Sequence, residues 1–341
     1  MNSSLLGRWR GHGQRYAVGA VTVAVIAASL LLPSIVHFTY IQHLLVLACL
    51  FLVLTSSYNL LVGYTGYLSL AHTTFFGIGA YASAILTTRY RVHAAPAAIA
   101  GMIATGVVSF LLGEVAFRRV RGFAFSIVTL GFAVTIYILA SNWIDVTGGP
   151  TGILGIPRPS ISLLGHTIAI VQVTDFYYLG LILVGISFGV TTWIRSSRIG
   201  RGLVAIRENE RLASALGIDV LRYKVFAFVV AAILAGIAGS FYAHYLTVAS
   251  PEILWIYWIT SILAMLIVGG PGSLLGISLA TILLVFLPET LRIFQFYREL
   301  LYGVALVASI RFMPQGIGGV IDQALYRRRL SEWRSSQSRG L

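Results

Sequence analysis

Residues 40–81 read YIQHLLVLACLFLVLTSSYNLLVGYTGYLSLAHTTFFGIGAY. The stretch holds no Asp, Glu, Lys or Arg and lies inside a longer uncharged window, Tyr16 to Thr88. A helix that crosses a bilayer needs about 20 mostly apolar residues, so this window has room for three. Runs such as Leu44–Leu54 do not alternate in polarity, unlike the strands of an outer-membrane barrel. Further uncharged windows follow at Val92–Gly113, Gly122–Ile144, Phe176–Ile194, Val225–Pro251, Ile253–Pro288 and Leu300–Ile310. The chain as a whole is 57 % apolar and 10 % charged, against about a quarter charged in an ordinary soluble domain. The reading is an all-α integral membrane protein with about ten transmembrane helices, some interrupted at Gly-rich breaks.

The spans are expected near 16–36, 41–62, 73–88, 94–117, 123–143, 176–194, 224–246, 253–269, 274–290 and 299–313. The first is read as an uncleaved span, because its apolar run from Tyr16 to Val36 exceeds the core of a cleavable leader. Ten spans place both termini on the cytosolic side. Basic residues then divide 19 inside to 5 outside, as the positive-inside rule requires. The expected organisation is a basic cytosolic N-terminus (1–15) and one transmembrane domain (16–320). An outward loop spans 145–175, an inward loop 195–223, and a basic cytosolic tail 321–341. The net charge of +13 is assigned to these flanks and to contact with membrane lipid. Nucleic acid is excluded as a partner, because no soluble domain is present to carry it.

No catalytic constellation is visible, and no cofactor or metal is expected. The seven histidines are scattered and H-E-x-x-H is absent. A phosphate-binding P-loop needs Gly-Lys followed by Ser or Thr. The only lysine, Lys224, lies in Tyr223-Lys224-Val225, so the chain has no such site. No Asp, Glu, Lys or Arg lies deep within a span, which argues against a proton- or sodium-coupled carrier. If the protein pumps, the energy comes from another chain.

The inward loop is the informative one. Arg207-Glu208-Asn209-Glu210-Arg211 leads into Leu212-Ala213-Ser214-Ala215-Leu216-Gly217. Leu203, Ile206, Ala213 and Leu216 recur near helical spacing, and Gly217 is placed to end a helix in the left-handed conformation. The expectation is a short amphipathic helix whose apolar stripe docks into a partner's groove. Gly63, Gly66, Ser69 and His72 interrupt one apolar stretch, and Gly269, Gly270, Pro271 and Gly272 another. Backbone breaks at membrane depth are tolerated where they are buried or line a cavity. Asn59, Gly63, Gly66, Ser69, His72, Thr129, Gly269 and Gly270 are therefore candidate path residues, the alternatives being tight turns and helix packing. His72 by itself reads as a hydrogen-bonded structural residue. The Gly/Pro-rich segment Thr147-Gly148-Gly149-Pro150 reads as an ordered outward surface.

Seven segments in chain order resemble permeases of the branched-chain amino acid ABC importers. Gly63–His72 with Phe75–Tyr81 is the first, and Arg121-Gly122 with Thr129–Phe132 the second. Thr147–Pro150 with Gly155-Ile156-Pro157 and Ala205–Glu210 with Ala215–Ile218 follow. Ser250-Pro251-Glu252, Gly269–Ser273 and Pro314-Gln315-Gly316 complete the set. The resemblance covers roughly residues 40–320 and is nearest to the longer of the two permease types in that family. It implies a bacterial cytoplasmic-membrane importer of branched-chain or related amino acids. It further implies a second homologous permease subunit, two ATP-binding cassette subunits and an extracytoplasmic solute-binding protein as partners. Ile206, Arg207, Glu208, Asn209, Glu210, Arg211, Ala213, Leu216 and Gly217 would then be the ATPase-coupling residues, and Thr147–Pro150 would face the binding protein. The sequence departs from the family pattern at Ala71, often Gly there, at Phe123-Ala124, and at Val134, often Glu. Within the same architecture, urea, short amides or aromatic acids remain alternative substrates; an ion-coupled carrier is the alternative of another class.

Overall fold

The computed structural model describes residues 29–33, 38–163, 166–290 and 315–320, together with the single residues 303, 307, 311 and 323. The expected first and last spans, 16–36 and 299–313, and the two terminal arms fall largely outside the described residues.

Among the described residues, ten helices of six residues or more carry the fold: α1 (Thr39–Thr65), α2 (His72–Thr88), α3 (Ala94–Arg119), α4 (Phe123–Asn142), α5 (Val173–Ser196), α6 (Arg198–Glu208), α7 (Glu210–Ala215), α8 (Val220–Leu246), α9 (Ile256–Gly269) and α10 (Leu274–Thr290). Five of them, α1, α3, α4, α5 and α8, are long and apolar enough to cross a membrane. At 1.5 Å per residue the 27 residues of α1 or α8 extend about 40 Å, beyond the ~30 Å hydrocarbon core. The expected span boundaries agree with the helices to within a few residues. The largest difference is at the start of α8, which begins at Val220, four residues before the expected 224; at Pro251–Leu254 a 3-10 turn delays α9 to Ile256.

Burial separates the spans into two kinds. Of the membrane-length windows of α1 and α8, 72 % is buried inside the chain, against 22 % for α3 and α5 and 28 % for α4. The bundle is thus centred on α1 and α8. The outer faces of α3, α4 and α5 are apolar and exposed, as lipid- or subunit-facing surface must be. α8 packs on α2 and α3, while α1 packs on α5, α8 and α10.

The α2–α3–α8 contact is backbone against backbone. A β-carbon added at Gly79 would stand 2.1 Å from the Gly236 carbonyl oxygen, and one at Gly239 would stand 1.8 Å from that of Phe76. A β-carbon at Gly236 would meet Thr105 Oγ1 at 2.4 Å. In lipid there is no hydrophobic force to bring helices together, so small residues that permit this approach hold the bundle. Polar bonds lock the contact: Ser240 Oγ donates to the Gly79 carbonyl at 3.0 Å, and Ser83 Oγ lies 2.8 Å from His244 Nε2.

Among the described residues, small strands occur only in the loops at one end. β1 (Ile153–Leu154) pairs antiparallel with β4 (Val248–Ala249), and β2 (Ser160–Leu163) with β3 (His166–Ala169). The all-α expectation therefore holds for the spans, whereas the 145–175 loop is a folded cap stitched to the end of α8. Segment 198–219 occupies the opposite end of the bundle.

The tight three-helix contact makes a stability prediction. Gly239→Ala should cost on the order of 1–3 kcal/mol or more through overpacking, read as a lowered thermal midpoint in detergent. Gly185→Ala, where an added β-carbon meets nothing within 4 Å, should leave the midpoint unchanged or slightly raised, since Ala is the better helix former.

Candidate functional site

The 198–219 segment is built by local capping. Ser197 Oγ accepts from the backbone N–H groups of Ile199 and Gly200 and starts α6. Asn209 is extended (φ −158°), which ends α6, and its Oδ1 accepts from Leu212 N at 3.0 Å, which starts α7. Gly217, at φ +85°, closes α7, with Ile218 N donating to the Ala213 carbonyl at 3.1 Å. Asp219 then caps α8 through Arg222 N.

The single amphipathic helix expected across 205–217 is therefore two helices with a bend at Asn209. The expected stripe is also divided. Leu203, Ile206 and Ala213 are buried in the chain itself, and Leu203 packs with Leu60, Tyr64, Ile194 and Ala227. These three cannot form a surface for a partner. The bend at Asn209 turns the outward apolar side of α7 to Leu212 and Leu216, which are 58 % and 73 % exposed. Arg207, Glu208, Asn209 and Arg211 surround them on the surface.

Two polar contacts tie this segment to the spans. The Arg207 guanidinium donates to the Gly63 carbonyl, one of the orphan acceptors at the C-terminal end of α1, where a cation is also favoured by the helix dipole. Its stem lies over Gly66, at φ +76° the left-handed cap of α1. The second contact is buried. Lys224 Nζ donates to Tyr67 Oη at 2.7 Å and pairs with Glu210 Oε2 at 2.8 Å, while Tyr67 Oη donates to the same Glu210 oxygen at 2.8 Å. The Lys224 side chain is 3 % exposed, and its ammonium lies 4.0 Å from the centre of the Tyr67 ring. Burial alone would raise the Glu210 carboxyl, but the hydrogen bonds from Lys224 and Tyr67, with the charges of Lys224 and Arg121, hold it below the usual carboxylate range. Burial, reinforced by the bond to Glu210, pushes the Tyr67 hydroxyl up to about 12, so it remains a donor.

The candidate path residues are mostly closed within the chain. Asn59 Oδ1 accepts from Gly272 N at 2.7 Å and joins α1 to the 270–273 turn. Gly63 packs on both. Ser69 Oγ accepts from Ala71 N, and His72 Nε2 lies 3.0 Å from Ser57 Oγ. Thr129 Oγ1 accepts from Leu70 N and donates to the Ser126 carbonyl. Gly269 sits against Ile277, and Gly270, at φ +90°, against Gln315. Both breaks thus pack against neighbouring helices through these contacts. Among the described residues, Asn59 Nδ2 is a buried donor without a partner.

Two cavities add what the sequence did not show. One of about 310 Å3 is almost wholly apolar and lies between α2, α4 and α9, lined by Leu70, Thr73, Val134, Tyr137, Trp255 and Ile259 among others. The other, of about 580 Å3, lies at the loop end beside Arg91, His93, Leu154, Pro157 and Arg158. At that end Thr147 Oγ1 donates to the Ala140 carbonyl at 2.6 Å and accepts from Gly149 N, ordering the turn. Gly148 (φ +79°) is required there, since a β-carbon would stand 2.2 Å from the Gly152 carbonyl oxygen. Pro150 and Thr151 are its exposed tip. Tyr67 and Lys224 escaped the sequence reading. The signal available was a lone lysine at the threshold of an apolar span.

Comparison with known proteins agrees with this architecture. Residues 40–310 match the family described as the permease component of branched-chain amino acid transport systems. The high-affinity branched-chain amino acid transport system permease protein LivM of Escherichia coli is 33 % identical over 293 residues, 80 % of this chain and 68 % of that protein. BraD of Pseudomonas aeruginosa, with the same description, is 26 % identical over 84 % of this chain and 98 % of its own. LivH of Escherichia coli is 24 % identical over 77 % and 89 %. No solved structure matches the chain significantly. A match over residues 40–310, on a chain whose described spans are all helical, means that the chain belongs to the branched-chain amino acid transport system permease family.

Proposed function

We propose that the protein is the membrane permease of a bacterial inner-membrane ABC importer for branched-chain or similar amino acids. It works with a second permease subunit, two ATPase subunits and an extracytoplasmic binding protein. The family match over residues 40–310 carries this reading, and the relatives' printed descriptions supply the substrate class. The apolar cavity between α2, α4 and α9 suits an aliphatic side chain. Val134 makes its wall apolar, and the Thr129–Leu70 bond fixes the wall's inner end. Solute passes this cavity, with Asn59, Gly63, Gly66, Ser69, His72, Gly269 and Gly270 holding the two breaks that set its helices. Proteoliposomes with the complete complex should accumulate leucine on internal ATP. Uptake by this chain alone, driven by an ion gradient, would overturn the reading.

Both termini are cytosolic in this proposal, so 195–223 faces in and 145–175 faces out. Asn209 and Thr151 are exposed at the two ends, and Cys49 is buried. A membrane-impermeant thiol reagent applied to intact cells should label Thr151→Cys and spare Asn209→Cys; the reverse pattern rejects the topology. The turn Thr147–Pro150, with the arginine-lined cavity beside it, meets the binding protein.

The ATPase docks on the exposed side of α7, with Leu212 and Leu216 as apolar knobs and Glu208, Arg211 and Arg207 as the rim. Rim charges steer and orient more than they hold. Because Leu216 is exposed, Leu216→Asp should fold normally and leave the thermal midpoint unchanged. In the groove it would bury an unpaired charge, so ATPase recovered by co-purification should fall about tenfold or more. Parental recovery would remove α7 as the docking element.

A further inference from the structure

We propose that the Lys224–Glu210–Tyr67 contact is the rigid link that carries motion of α7 to the solute cavity, and that Lys224 is a positioning residue for energy coupling. The inference rests on the proposed docking of the ATPase at α7. It goes beyond that docking by assigning the route inward, through residues that touch neither ATPase nor solute.

The argument begins with compliance. α7 is only six residues long and has a break at each end, the extended Asn209 and the left-handed Gly217. A push on α7 alone would be absorbed at those two points. A stiff non-covalent tie is needed to pass it on. Among the described residues, α7 enters the bundle by the small buried side chain of Ala213 and by Glu210, the first residue of the helix. Glu210 does not meet a flexible surface lysine. It meets an ammonium whose side chain is 3 % exposed and whose hydrogen bond goes to Tyr67. Removing one member of such a pair leaves a buried charge uncompensated. The pair therefore stays closed while the segment moves, and α7 displaces the start of α8 and the α1–α2 turn with it.

Tyr67 distributes the displacement. Its ring meets Phe117 of α3 at 5.4 Å and Phe125 of α4 at 5.6 Å, edge-on to both. Phe117 and Phe125 stack at 4.2 Å, and each meets Phe228 of α8 edge-on at 5.8 Å. Close-packed aromatic groups transmit displacement because interiors have little free volume. From Phe125, α4 continues as one helix into the cavity wall at Leu130, Ala133, Val134 and Tyr137. The route is therefore continuous: α7, Glu210, Lys224 and Tyr67, Phe125, cavity. The Arg207–Gly63 contact is a parallel tie to the end of α1 and does not reach α4.

The test uses the complete complex in proteoliposomes and reads three quantities: ATPase recovered, ATP hydrolysed, and leucine taken up per ATP. Lys224→Met keeps the length of the side chain and removes the charge. It should retain the ATPase subunits and near-parental hydrolysis, and lose about tenfold in uptake per ATP, within the ~5–150-fold range of site-to-site couplings. Lys224→Arg should recover much of that ratio. Tyr67→Phe keeps the ring between Phe117 and Phe125 and guards against misfolding of the lysine variant; it should lower the ratio in the same direction. The proposal is overturned if uptake and hydrolysis fall together in proportion to complex recovered, which marks a structural anchor, or if the ratio stays parental. Neither outcome bears on docking, which Leu216→Asp tests separately.

Discussion

The fold depends on three helices being able to touch through their backbones. Gly79, Gly236 and Gly239 bring α2, α3 and α8 to distances that a single methyl group would forbid. In water, apolar burial would supply the attraction and side chains could vary. In lipid, the gain comes from van der Waals packing and interhelical hydrogen bonds, and both demand close approach. Once α8 is seated against α2, its two ends are placed. Lys224 comes under Tyr67 at one end, and at the other His244 Nδ1 lies 2.8 Å from the Pro157 carbonyl oxygen.

The same placement brings several polar side chains inside the bundle into pairs. Ser56 meets Ser187 at 2.7 Å, Thr55 meets Thr281 at 3.0 Å, and Ser57 meets His72. Each joins two spans or two ends of a turn, and several hydroxyls also return to a carbonyl three or four residues back. This satisfies donors that lipid cannot. It also sets the breaks at 66–71 and 270–273 as seats for neighbouring helices. The glycines at these breaks serve helix junctions, and the apolar cavity between α2, α4 and α9 lies beside them.

At the far end, the loop between α4 and α5 is stitched to the end of α8 by the β1–β4 pair. The loop and the 198–219 segment are thus both fastened to α8. The Phe117–Phe125–Phe228 cluster fills the space where α3, α4 and α8 converge.

Spans from 39 to 290 were legible in the sequence because hydropathy and charge act locally. A run without charge longer than about 20 residues has few other uses, and helix ends such as Gly66 and Gly217 announce themselves by residue type. The 198–219 segment was legible as a location, through its mixed charges between two apolar spans. Its outward face was not. Leu203, Ile206 and Ala213 looked like one stripe with Leu216, and only the bend at Asn209 shows that three face the chain's own core and one faces outward. Helical periodicity states which residues share a side of a helix; it does not state which neighbour that side meets. Tyr67 and Glu210, 143 residues apart, bond directly and share Lys224, because α8 is held against α2 by glycines located elsewhere. Sequence by itself determined the membrane class, the positions of the apolar helices and the family motifs. Tertiary packing alone decided the buried ion pair, the closed breaks and the cavity, because each is made by residues from helices that only the folded bundle brings together.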